Sequence, residues 1–131
     1  MAKRVFISFD YDNDRHYKNL LLAWNANKEF DFELYDASLK VAINSEDAKY
    51  IKTQIKPKIV AAGYLLCIVG KEAGMNDWIR WETQTAVDAG KKLIGVKLEK
   101  GNISPPELLN NKATWAMSFT FDAIKKAVEQ A

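Results

Sequence analysis

The sequence predicts an open α/β fold, a parallel sheet with helices on both faces. Three observations carry that reading. Short β-branched and aromatic runs alternate with stretches of helical period, the pattern of strand–helix–strand crossovers. Tyr64 to Val69 is nearly continuous apolar sequence, as a central strand covered on both faces must be. At 131 residues, 48% hydrophobic and 27% charged, the chain reads as one domain, 1–131, large enough for a sizeable core.

The elements follow in order. Val5 to Phe9 is a first strand, ending in the polar cluster DYDND. Tyr17, Leu20, Leu21 and Trp24 recur at helical spacing and give the first helix. Phe32 to Tyr35 is a second strand closed by Asp36, and ASLKVAINSE after it reads as a loop. Ile51, Ile55 and Ile59 stripe a second helix, which Pro57 should kink or restart, because proline lacks an N–H and clashes with the preceding turn. Tyr64 to Val69 is strand three. Gly70 to Asp77 then turns the chain into a third helix, capped by Asn76 or Asp77 and stopped by Gly90. Leu93 to Leu98 is strand four, GNISPPELLNN a loop, and Trp115 to Phe119 a short fifth strand. Phe121, Ile124 and Val128 mark the last helix. Five such strands most often take the flavodoxin-like order 2-1-3-4-5, a three-layer sandwich whose ligand crevice opens beyond the carboxyl ends of strands one and three.

Composition excludes several classes of function. A net charge of +2 with scattered lysines asks for neither nucleic acid nor an anionic membrane. No apolar run approaches the roughly 18 residues of a membrane span, and MAKRVFISFDYD enters a strand pattern with no apolar signal segment. A cytoplasmic protein is the expectation. Single Cys67 and His16 argue against a zinc site; Cys67 reads as a small core residue and His16 as a solvated one.

The third helix holds the most informative residue. In DWIRWETQTAVDAG, Arg80, Gln84 and Asp88 share one side, while Trp78, Ile79, Ala86 and Ala89 form the opposite, apolar arc. Glu82 points into the middle of that arc as its one charged group. A carboxylate there must enter a cleft, find a partner, or be kept at a cost. Glu82 is therefore the first candidate for chemistry. The predicted topology turns it toward the crevice where Ser8, Phe9 and Asp10 end strand one, with Asp36 at the flank.

Three features together resemble the Toll/interleukin-1 receptor (TIR) domain family. VFISFDYDND resembles its first box, a strand ending in a Ser-aromatic pair before acidic residues. Trp78-Ile-Arg-Trp-Glu82 matches the W-x-x-x-E pattern of TIR domains that cleave NAD. The strand spacing and the long loop after strand two fit as well. The chain is most similar to the TIR-like branch of the Thoeris antiphage system, which makes a cyclic ADP-ribose signal from NAD. The resemblance implies that Glu82 is catalytic and that Trp78 walls the pocket. It sets Ser8, Phe9 and Asp10 along the nicotinamide ribose, and Asp36 toward the adenosine half. It implies NAD as substrate with no separate cofactor or metal, possible self-association, and a downstream nucleotide-sensing effector that reads the product. The loop ASLKVAINSE lacks the proline signature of animal receptor TIR domains, so receptor-style signalling through it is not implied.

Plainer readings stand beside these. Glu82 could be an acid favoured near a helix start by dipole or capping. Asp10 could be a turn residue, Asp12 and Asp14 read as turn and cap residues, and Ser8 could merely fill a strand end. Trp78 and Trp81 could be helix-packing groups. A non-enzymatic interaction domain would leave Glu82 unexplained. A phosphorylated receiver needs an Asp where Val69-Gly70-Lys71 stands, and the acidic DYDNDR would repel a flavin phosphate.

Overall fold

A computed structural model describes residues 3–10, 13–25, 30–33 and 43–131, with the side chains of 3, 25 and 30–33 not described. Strands β1 (Lys3–Ser8), β2 (Phe30–Glu33), β3 (Tyr64–Val69), β4 (Lys92–Lys97) and β5 (Thr114–Ala116) pair in parallel in the order β2-β1-β3-β4-β5. Helices α1 (Arg15–Asn25), α2 (Glu46–Ala61), α3 (Asp77–Asp88), α4 (Pro106–Leu109) and α5 (Phe121–Gln130) connect or follow them.

Strand alternation divides the core in two. Val5, Ile7, Leu66, Ile68, Ile94 and Val96 face one way and pack with Leu21 of α1 and Ile124 and Val128 of α5. Phe6, Leu65, Cys67, Val69 and Leu93 face the other way, toward Ile55 and Ile59 of α2, Ile79 and Ala86 of α3, and Leu108 of α4. Most of these side chains are fully buried, and each Val, Leu, Ile or Phe among them contributes roughly 1.5–3 kcal/mol by leaving water. Gly95 belongs to this arrangement: a Cβ there would fall 2.6 Å from Cε3 of Trp115, so the bare strand admits the indole.

Several boundaries differ from the sequence reading. Pro57 does not restart α2, which runs unbroken to Ala61. The proline is exposed there, so its ring meets solvent rather than core packing. That helix starts at Glu46, where Ser45 caps it by accepting from the Ala48 N–H at 3.2 Å, so the end of the expected loop is helical. Two short helices also occupy segments read as turn and loop. A 3-10 turn spans Ala73–Met75, and α4 begins with Pro106 at its first turn, where a missing N–H costs nothing. β5 ends at Ala116 rather than Phe119. β2 starts two residues before the expected strand, and the rest of that expectation, through Asp36, lies outside the described residues.

Candidate functional site

The site is assembled where β1 and β3 end. Ser8, the last residue of β1, lies in register with Cys67 of β3 and is fully buried. Across from it runs α3, whose ends are defined locally. Asn76 caps it by accepting from the Ile79 N–H at 3.0 Å. At the other end Gly90, at φ 73°, closes it. The Gly90 N–H donates to Val87 and the Lys91 N–H to Ala86, the paired bonds of a Schellman stop. Between these ends the apolar face of α3 lies on the sheet, and Glu82 is carried inward with it.

Glu82 is 0% exposed, and its Oε1 accepts a hydrogen bond from the Ser8 hydroxyl at 2.8 Å. Its other oxygen, Oε2, is buried with no partner. Loss of water raises the carboxyl from 4.5 to about 8, and the Ser8 bond only partly opposes that rise. Near pH 7 Glu82 is therefore held mainly as the neutral acid. Cys67 registers the same environment: burial first, then Glu82 and Asp14, push its thiol far up.

The other residues named from sequence fall in different places. Trp78, one helical turn before Glu82, is 7% exposed and meets Trp81 edge-to-face at 5.9 Å between centroids. It belongs to the same core layer as the strand residues beside Ser8. Phe9, 1% exposed, packs instead into the layer under α1 and α5, on the sheet face opposite Glu82. Asp10 is buried beyond the end of β1. Its Oδ2 accepts from the Asn13 side-chain amide at 2.8 Å, and its Oδ1 from the Asn13 N–H at 3.2 Å. Asp36 lies outside the described residues. Ser8, Glu82 and Trp78 are thus brought together, Asp10 lies at the same sheet end, and the Phe9 side chain is turned away.

A further acid reaches the same sheet end. Asp14 is 4% exposed and precedes α1, and its Oδ2 is buried with no hydrogen-bond partner. Its carboxyl lies against Gly70, just past β3, where a Cβ would fall 2.6 Å from the Asp14 Cγ. Burial, and then the charge of Asp10, raise Asp14 from 3.8 to about 6. In sequence Asp14 looks like any helix-start aspartate, and its approach to Gly70 depends on β1 and β3 lying side by side, so that the segment after β1 meets the end of β3. Among the described residues no group of His, Cys, Asp and Glu is arranged to hold a metal ion.

Residues 6–103 match the family described as Thoeris protein ThsB, TIR-like domain. This chain belongs to that family. The match includes β1 from Phe6 on and all of α3 and β4, and so both Ser8 and Glu82. No curated protein sequence matches this family member significantly. Among solved structures it is similar to a conserved protein from Enterococcus faecalis V583, with a TM-score of 0.64 at 10% identity over 99% of each chain. It is similar to a 2-deoxyribosyltransferase from Bacillus psychrosaccharolyticus, with a TM-score of 0.61 at 12% identity over 93% of this chain and 90% of that one. TIR domains of the activated Roq1 resistosome give a TM-score of 0.51 at 17% identity, over 73% of this chain and 57% of theirs. At these identities the likeness is one of fold. No helix among the described residues is long and apolar enough to cross a membrane.

Proposed function

We propose that this TIR-like domain cleaves NAD at the nicotinamide ribose and that the product serves as a signal in antiphage defence. The observation that carries the reading is the buried Ser8–Glu82 pair, with Glu82 Oε2 left unpartnered at the end of the sheet. A glutamate fully enclosed in protein with one oxygen unpartnered costs stability, and groups perturbed in this way cluster at reacting sites. Membership of the Thoeris family supports the defence role. The deoxyribosyltransferase of similar fold is consistent with sugar-transfer chemistry on such a scaffold.

The chemistry needs few groups. Nicotinamide is joined to ribose as a cation, so when the C1′–N bond breaks its electron pair returns to the ring nitrogen and neutral nicotinamide leaves. No acid is needed to protonate it, unlike ordinary glycosides that use two carboxylates. Positive charge develops on the ribose. Ionised Glu82 stabilises that charge, Ser8 orients the carboxylate, and the low-dielectric wall of Trp78 strengthens the attraction. A cationic ring beside Glu82 also lowers its pKa again and favours the ionised form. Water capturing the ribose cation and losing a proton gives ADP-ribose. Capture by a nucleophile of the same nucleotide gives a cyclic isomer, the form a nucleotide-sensing effector would read.

The test is release of nicotinamide from NAD, followed by chromatography. Glu82→Gln should keep the fold and lose turnover by at least a hundredfold; an equally active, folded variant would end the proposal. One observation favours a second reading, a non-enzymatic interaction domain: Glu82 is wholly covered. That reading expects no NAD cleavage by the wild type under any condition of assembly or concentration.

A further inference from the structure

The unassigned group at this sheet end is Asp14. Glu82 comes to the sheet from the α2, α3 and α4 side, whereas Asp14 comes from the α1 side, so the two carboxyls flank the ends of β1 and β3 from opposite faces. The Ser8–Cys67 rung and Gly70 are three residues apart along β3, about 10 Å of extended strand, a length comparable with one nucleoside. Gly70 is the device that lets Asp14 in, because any side chain there would occupy the place of the carboxyl. A buried oxygen without a donor costs free energy, and Oδ2 of Asp14 is such an oxygen. Asp10 lies beside it as a second negative group, so this end of the sheet disfavours phosphate and suits a cation or a hydrogen-bond donor.

We propose that Asp14 is a specificity-determining carboxylate of the site, held by Gly70, that selects a ligand whose leaving ring is positively charged and bears an amide donor. The inference rests on the NAD reading of Glu82 and adds to it the basis for preferring the oxidised, cationic ring over its neutral reduced form. Asp14 supplies counter-charge and an acceptor at the Gly70 end of this span, and the Ser8–Glu82 pair receives the sugar at the other.

The test compares NAD with NADH, which differ in ring charge, by titration calorimetry in the Glu82→Gln background, where NAD is not consumed. Glu82→Gln should bind NAD at least tenfold more tightly than NADH. Adding Asp14→Asn should weaken NAD about tenfold, leave NADH within threefold, and bring the two together. Gly70→Ala, which displaces the carboxyl and keeps its charge, should move the ratio in the same direction. NADH serves as the internal control, since misfolding would weaken both ligands. A preference for NAD that survives both substitutions, or no preference to begin with, overturns the role of Asp14. Binding of neither ligand overturns it together with the NAD reading. Wild-type protein that binds with this preference and releases no nicotinamide sinks the enzymatic reading alone.

Discussion

The acid at position 82 sets the most direct expectation for solution behaviour. Its carboxyl holds a proton up to about pH 8 in the folded chain and loses it near 4.5 when unfolded. Below 4.5 both states are protonated and nothing is lost. Between 4.5 and about 8 the unfolded state gives up its proton and the folded state does not, so folding stability falls with rising pH through that window and levels above it. At about 1.4 kcal/mol per pH unit the full span amounts to several kcal/mol. Asp14 adds a smaller decline of the same sign between 3.8 and about 6. Glu82→Gln keeps the size of the side chain and removes its titration. Its melting temperature should match wild type near pH 4.5 and exceed it at pH 8, as read by thermal melts across the range. A variant with the wild-type pH profile would show that Glu82 is not the buried acid responsible.

At the scale of elements, α3 is held by its two ends and by one row of contacts. Ile79 is fully buried against the sheet, so Ile79→Ala should cost about 2–5 kcal/mol in denaturant unfolding. Gly90→Ala, forced to φ 73°, should cost about 1–2 kcal/mol without touching the core. A smaller loss at Gly90 than at Ile79 would confirm that packing, rather than the stop, fixes the helix. This helix was readable in sequence because period, cap and stop agree over twelve residues. The same agreement made the inward direction of Glu82 readable. Less was legible where short-range signals conflict. Pro57 marks a break by its chemistry, yet Ile55 and Ile59 on either side are buried under the sheet and keep α2 whole. α4 is four residues long and has no period to detect. The contact of Asp14 with Gly70 joins residues 56 positions apart and leaves no local trace in composition or spacing.

For the whole molecule, the decisive fact is that a single sheet serves two core layers. Every central strand sends alternate residues to each face, so neither layer can come apart and leave the sheet intact. Trp24 packs with Phe119 and Phe121 on the α1 and α5 side, while Trp78 and Trp81 lie on the other. Fluorescence from variants that retain Trp24 alone or Trp78 alone should therefore give one urea midpoint, coincident with far-ultraviolet circular dichroism. Separate midpoints would mean that the layers unfold independently.

The cover over Glu82 has a temporal consequence. On the proposed reading, a visiting nucleotide has to reach the unpartnered oxygen of this acid while the serine keeps hold of the other, and the proton leaves only once a cation has arrived. Reactive charge is then summoned by its own substrate, and the idle protein keeps none on display.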